Sequence, residues 1–260
     1  SVGSVGQFGS ASSFTSAGSS VLLSAPGESI LTTDLTGAGG YSVGDYYDAF
    51  HGTSAAAPIV SGVAALMLEA NAEALAAEQP FVSALGYRDV QEILAYSADN
   101  PTTNAWTSNA AGTANGGGFT FNSDYGFGIV DAHAAVRLAE TWSQTSKYSN
   151  LVEVKSALTT VDKAINDLAS VSDTITLSNT NLNIDHVEVN LQLTHEYIGD
   201  LLIEITSPGG TTSTLLDRPM DGDYEGSGSL DFTFDSVQFW GEASDGDWKL
   251  TVTDTETGDT

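Results

Sequence analysis

The residues whose types and spacing could do chemistry lie in one stretch, His51-Gly52-Thr53-Ser54-Ala55-Ala56-Ala57-Pro58. A serine at the start of a helix stands beside backbone N–H groups without intrahelical acceptors, at the positive end of the helix dipole. A hydroxyl nucleophile gains most there, because the oxyanion formed by its attack on a carbonyl meets donors already in place. Gly52 lets the backbone turn tightly, and the small side chains of Ala55 and Ala56 leave room for a substrate to approach. The same Gly-Thr-Ser before a helix also describes an ordinary N-cap, and on spacing alone that is the favoured reading of Ser54.

The element that must position Ser54 follows it directly. From Ser54 to Asn71 the chain is apolar on every side, with Ile59, Val60, Val63, Leu66, Met67 and Leu68 leaving no polar face, which predicts a helix buried in the middle of a domain. Pro58 fits only in the first turn of such a helix, which places the helix start within a few residues of Ser54. Asp89-Val90-Gln91-Glu92-Ile93-Leu94 repeats at helical spacing. Asp131 is placed to cap a third helix over 132–142 with Ala135, Val136 and Ala139 on its inner side. Asn115–Gly118 reads as loop.

Further along, the period changes from helical to two. Val187, Val189, Leu191 and Leu193 alternate with polar residues, as do Leu201, Ile203 and Ile205, then Phe232 and Phe234, then Trp248, Leu250 and Val252. Ser207-Pro208-Gly209-Gly210 is a turn signal between two such runs. Three zones result: 1–142 of mixed strand and helix, 143–170 a polar linker, and 171–260 an antiparallel sandwich with Val187, Val189, Leu191, Leu201, Ile203, Phe232, Phe234 and Trp248 inside.

Composition narrows the function classes. The 260 residues carry 34 acidic and 7 basic side chains, a formal net charge of −27. Such a surface repels phosphate backbones and anionic lipid, so nucleic-acid binding is excluded, and it suits work in salt or with Ca²⁺. Without cysteine there is no disulfide, thiolate nucleophile or iron–sulfur cluster. No uninterrupted apolar run reaches the length of a membrane span; Ser61 and Gly62 break the longest candidate. Oligomeric state is not legible.

Two separate sets of strings resemble known modules. Gly52-Thr53-Ser54-Ala55-Ala56-Ala57-Pro58 resembles the serine signature of the subtilisin-like serine proteases, the subtilases. Val60-Ser61-Gly62-Val63-Ala64-Ala65-Leu66-Met67-Leu68-Glu69-Ala70-Asn71 and Tyr87-Arg88-Asp89-Val90-Gln91 resemble the branch containing kexin and furin. Ser13–Gly18, Ala25-Pro26-Gly27, Ile30–Asp34 and Tyr125–Ala132 are similar to the segments around them. His195–Leu201, Thr206–Thr211, Leu215–Arg218, Phe239–Glu242 and Trp248–Val252 resemble the P (Homo B) domain that follows the catalytic domain in proprotein convertases.

The resemblance implies an α/β subtilisin-like portion followed by an all-β sandwich, and a secreted serine endopeptidase acting on protein or peptide substrates through an acyl-enzyme on Ser54. It places the triad Asp and His, and the oxyanion Asn, upstream of Ser1, so the chain is read as a piece of a longer protease, cut at both ends. It also implies structural Ca²⁺, with most ligands outside this chain; one family ligand position falls on Ser16. The other reading kept open is a non-catalytic β-sandwich module on a remnant protease fold. A metal-dependent hydrolase has little support from four scattered histidines.

Within the chain, His51 is read as a loop residue that would have to fold back to reach Ser54, His133 as exposed, and His186 and His195 as parts of the sandwich. Asp34, Asp45 and Asp48 are expected to be solvated. The acidic runs Asp221–Glu225, Asp245–Asp247 and Asp254–Asp259 offer hard oxygen ligands without the spacing of an EF-hand, so an acidic solvated face is the expectation. Asp200 is read as anchoring a turn.

Overall fold

A computed structural model describes residues 1–101, 106–112, 117–219 and 228–257. The chain divides into two compact units. Unit 1 comprises 1–17, 21–107 and 120–151; unit 2 comprises 18–20, 108–119 and 152–260.

Unit 1 is built on a parallel pair, β1 (Val2–Val5) and β2 (Leu23–Pro26). Residues 128–130 extend β2 on its free edge, with Ser24 N donating to Gly128 O and Val130 N to Ser24 O, both at 2.8 Å. Both strands are almost wholly buried, as parallel strands are when helices cover them. An antiparallel ribbon follows, β3 (Ile30–Thr33) with β4 (Tyr46–Phe50). Then come α1 (Thr53–Ala76) and α2 (Tyr87–Ser97), the short pair β5 (Thr107–Ser108) and β6 (Thr120–Phe121), and α3 (Ala132–Ala139).

The expectation for α1 needs correction. It is buried on one face only, through Ala55, Ala56, Val60, Val63, Met67, Asn71 and Ala74, which face β1, β2 and α3. Leu66 and Leu68 are about half exposed, at 51% and 49%. Apolarity all round, read as burial all round, here belongs to a helix whose second apolar face has no cover among the described residues. By length and composition α1 is also apolar enough to cross a membrane, its many alanines making up for Ser61 and Gly62. In unit 1 it packs as a core helix on the sheet.

The ends of α2 and α3 follow their sequences. Asp131 Oδ1 accepts from Ala134 N at 2.9 Å, the predicted cap, and Ala135 and Ala139 are buried while Val136 is half-buried. Gly86 N donates to Asp89 Oδ2 at 2.7 Å and closes the start of α2. The buried Asn71 side chain ties α1 to its neighbours, donating to Ser83 O and Ala139 O at 3.0 Å each.

Unit 2 is an antiparallel sandwich. One sheet runs in the order β10 (Thr212–Asp217), β9 (Leu201–Thr206), β12 (Gly246–Asp254), β7 (Ser170–Leu177). The other layer is a ribbon of β8 (Val187–His195) and β11 (Gly228–Ser236). Leu201, Ile203, Phe234 and Val252 form one buried cluster, and Ile184, Ile205, Phe239 and Trp248 another. Val187, Val189 and Leu191 pack against these clusters while staying half-buried. Phe232 departs from expectation. It is 53% exposed, its ring lying edge-on to Phe234 with centroids 4.9 Å apart instead of entering between the layers.

Candidate active site

Ser54 is the second residue of α1 and is exposed. Two glycines set its place. Gly52, the N-cap, has φ 135°, a conformation that L side chains rarely adopt. Its N–H donates to Gly27 O at 2.9 Å, and Gly27 N donates to Val5 O at 2.9 Å. A Cβ on Gly27 would lie 2.3 Å from Ser4 Oγ and 2.8 Å from Gly52 O, so only glycine lets the end of β2 meet the serine loop this closely. After the β3–β4 ribbon the chain thus returns to the carboxyl ends of the two parallel strands, where the helix starts. Ligands of open α/β sheets bind at that end. Ala55 N and Ala56 N are taken up by Gly52 O, at 2.9 and 3.3 Å, so the first turn closes on the glycine that precedes Ser54. Pro58 falls in the second turn, one turn later than expected, and lacks the N–H that Ser54 O would otherwise accept.

No hydrogen bond joins Ser54 to a His, Asp or Glu among the described residues. His51 is turned to its own loop, Nδ1 lying 3.1 Å from Ala49 O and the ring 5.7 Å from that of Phe14. His133 is exposed in the first turn of α3. His186 and His195 belong to unit 2. His195 is buried, with Nδ1 3.0 Å from Tyr197 O and Nε2 3.3 Å from Asp254 Oδ2; His186 Nδ1 lies 3.3 Å from Asp235 Oδ1.

Asp45 and Asp48 are exposed. Asp34 is half-buried and closes its loop, accepting from Leu35 N and Ser42 N at 2.8 Å each. The bond from Ser42, followed by that from Leu35, holds the Asp34 carboxyl below the usual carboxylate range against the opposing cost of desolvation. Asp89, which the sequence showed only as part of a helical repeat, is buried and saturated. Besides Gly86 N, it accepts from Trp142 Nε1 and Ser146 N, both at 2.9 Å. Nothing in its spacing signalled this, because both partners lie more than fifty residues along the chain.

The described residues of the acidic runs meet local donors. Asp245 spends its carboxylate on Thr180 Oγ1 and N and on Asn181 N, and the Thr180 hydroxyl, first among these donors, lowers its pKa. Asp247 accepts from Thr176 Oγ1, and Asp254 from Glu256 N. Asp221–Glu225, the end of Asp254–Asp259 and Asn115 lie outside the described residues. Among the described residues no group of three His, Asp or Glu side chains is placed to hold a metal ion. Asp200 acts through its main chain, its carbonyl accepting from Thr255 N and Oγ1.

A parallel pair meeting a Gly-Thr-Ser helix start in one unit, and an antiparallel sandwich in the other, make an α/β plus all-β chain, and comparison with known proteins gives it a family. Residues 1–128 match the subtilase family model and residues 184–260 the proprotein convertase P-domain model. The chain belongs to the subtilase family, in the kexin- and furin-like branch that carries a P domain. It is 36% identical over 211 residues to human proprotein convertase subtilisin/kexin type 5, covering 78% of this chain and 10% of that one. It is 34% identical over 244 residues to kexin of Saccharomyces cerevisiae, covering 90% of this chain and 27% of kexin. The crystal structure of the Aeromonas sobria serine protease in complex with its chaperone superposes with a TM-score of 0.77 at 27% identity, over 99% of this chain and 50% of that one. The chain therefore spans half or less of each of these relatives.

Proposed function

We propose that Ser54 is the nucleophile of a subtilisin/kexin-like serine endopeptidase that cleaves protein or peptide substrates in the secretory pathway or outside the cell. The observation that carries this reading is the exposed Ser54 at the second position of α1, held by Gly52 and Gly27 at the carboxyl ends of β1 and β2. In the mechanism, Ser54 Oγ attacks the scissile carbonyl carbon while a histidine, oriented by an aspartate, takes its proton. The tetrahedral oxyanion is held by donors at the helix start and by an asparagine amide; the leaving amine takes the proton from the histidine, and water then hydrolyses the acyl-enzyme. The family resemblance assigns the aspartate, histidine and asparagine to the longer protein. The sandwich is a stabilising module. Structural Ca²⁺ belongs to this reading through the family resemblance, with most of its ligands outside this chain, and no step of the reaction runs through it.

The 260-residue chain alone is accordingly expected to hydrolyse peptides no faster than background. Loss of a triad member leaves only the ~10³–10⁴-fold acceleration due to binding and the oxyanion hole, and each lost oxyanion donor removes a further ~10²–10³. A fluorophosphonate serine probe, applied to the chain, to its longer parent and to the parent carrying Ser54→Ala, tests this. Labelling of the parent alone is expected. Labelling of the Ser54→Ala parent as strongly as the unmodified one removes Ser54 as nucleophile, and labelling of the short chain at Ser54 brings His51 back as its base.

A further inference from the structure

From Leu151 to Ala164 every residue is exposed, and the stretch 152–164 makes no main-chain to main-chain hydrogen bond among the described residues. It joins no strand or helix, yet it is not polar: Val152, Val154, Leu158 and Val161 are 59%, 42%, 74% and 40% exposed. An endopeptidase cleft takes up unpaired main chain as an added strand, and exposed connections of this kind are where chains are nicked. The stretch also concentrates cations. Of the seven basic residues, Lys147, Lys155 and Lys163 lie in or at the start of it. Lys147 is engaged by Asn150, whose Oδ1 accepts from its N–H at 2.8 Å and whose N–H donates to its carbonyl at 3.2 Å. Lys163 is tied by its ammonium to Ser172 O and Asp173 Oδ1, at 2.6 and 2.9 Å, and follows Asp162, whose φ is 46°. Lys155 pairs at 2.8 Å with the neighbouring Glu153, with the Glu188 charge acting on it more weakly, and its side chain is 72% exposed.

Cutting here has an unusual consequence. Unit 2 draws on both sides of the stretch, since 18–20 and 108–119 precede it and 165–257 follow it. The earlier segments are built into the sandwich by specific bonds. Asn109 Nδ2 donates to Gln238 O and Trp240 O at 2.9 Å each, while its Oδ1 accepts from Ala111 N and Phe119 N. Ala110 N donates to the buried Glu242 Oε1 at 3.0 Å and to Thr211 Oγ1 at 2.9 Å. Ser19 Oγ donates to Asp235 O, and Val237 N to Ser19 O, at 2.8 and 3.0 Å. Asn109 thus has both amide hydrogens and its oxygen satisfied inside the sandwich, and each broken bond leaves a buried polar group unpaired.

We propose that the Lys155–Ser156 peptide bond is a processing site for a lysine-accepting endopeptidase, and that the cut protein persists as one noncovalent body held by residues 108–119 in the sandwich. The step is hydrolysis: water adds hydroxyl to the Lys155 carbonyl carbon and hydrogen to Ser156 N, and nothing is oxidised or reduced. It does not rest on the assignment of Ser54.

Limited digestion of the 260-residue chain with trypsin tests it. The six competing sites are the engaged Lys147 and Lys163, Arg88 in α2, Arg137 in α3, Lys249 in β12, and Arg218, which Pro219 protects. The first cut is expected after Lys155, giving pieces 1–155 and 156–260 that run separately in denaturing gels and co-elute in gel filtration without denaturant. Lys155→Gln is expected to slow the loss of intact chain severalfold. In the nicked protein, Asn109→Ala is expected to separate the pieces at lower urea than the unsubstituted protein requires. A first cut at any other residue, pieces that part without denaturant, or an unchanged urea requirement for Asn109→Ala would each overturn the proposal.

Discussion

Gly52 N donates to Gly27 O at 2.9 Å, which fixes the residue before the Ser54 helix to the end of the second parallel strand. The contact tolerates no side chain on Gly27, whose Cβ would stand 2.3 Å from Ser4 Oγ and 2.8 Å from backbone oxygen of Gly52. Gly27→Ala is therefore expected to cost about 1–3 kcal/mol by overpacking. Chemical denaturation reads this as a lower midpoint. In the longer parent the same substitution is expected to lower fluorophosphonate labelling of Ser54, because the helix start must shift away from β2. A midpoint unchanged by Gly27→Ala would mean that the strand end and serine loop are not coupled.

Asp89 supports the second helix in the same region of the chain. Its buried carboxylate accepts from Gly86 N, Trp142 Nε1 and Ser146 N. Asp89→Ala strands three donors, and an unsatisfied buried donor costs about 1–3 kcal/mol, so a loss of several kcal/mol is expected. Asp89→Asn keeps one acceptor oxygen, and its amide meets N–H groups that already donate; it is expected to fall between the two. Urea unfolding of the three proteins orders them, and equal stability of Asp89→Ala and the unsubstituted chain would remove the carboxylate from its anchoring role.

The sandwich separates what alternation reports from what it does not. Ile203 and Phe232 were assigned inside on the same period-two pattern, yet Ile203 is fully buried and Phe232 is 53% exposed. Ile203→Ala is expected to cost about 2–5 kcal/mol, as buried branched residues do, and Phe232→Ser at most about 1 kcal/mol, since an exposed ring loses little cover. Similar losses at both positions, measured by thermal or urea unfolding, would show that Phe232 is covered in solution.

These contrasts show how much the sequence carries. Alternation and turn residues announce the strands of unit 2 because each strand buries one face, and the cap at Asp131 is visible because its acceptor and donor are three residues apart. The Ser54 position is legible because glycine, small residues and a helix pattern meet within eight positions. What is not legible depends on distant partners. Asp89 is a buried anchor only because Trp142 and Ser146 reach it, and Asn109 belongs to the sandwich only because Gln238 and Trp240 carbonyls lie beside its amide. The exposure of Leu66 and Leu68 depends on what covers α1, which its own apolar pattern cannot report.

Acid is expected to loosen two local turns in a defined direction. Donors from Ser42 and Leu35 lower the Asp34 pKa, and donors from Thr180 and Asn181 lower that of Asp245, each from an ordinary 3.8. A carboxyl whose folded pKa lies below its unfolded value stabilises the fold at pH above the unfolded value. That contribution is lost as pH falls through the folded pKa, because the native turn then binds a proton it had excluded. Between neutral pH and pH ~5 the two loops should hold. Below ~4 the amides of Ser42 and Thr180 should lose hydrogen-exchange protection, after correction for the slower intrinsic exchange in acid. Asp34→Ser and Asp245→Ser, which shorten the acceptor and remove its charge, should abolish that pH dependence at their own loop and leave the other unchanged. Protection that does not decline at either loop as pH is lowered until the fold itself is lost, or that is lost equally in both variants, would sink the assignment of these carboxylates as the acceptors.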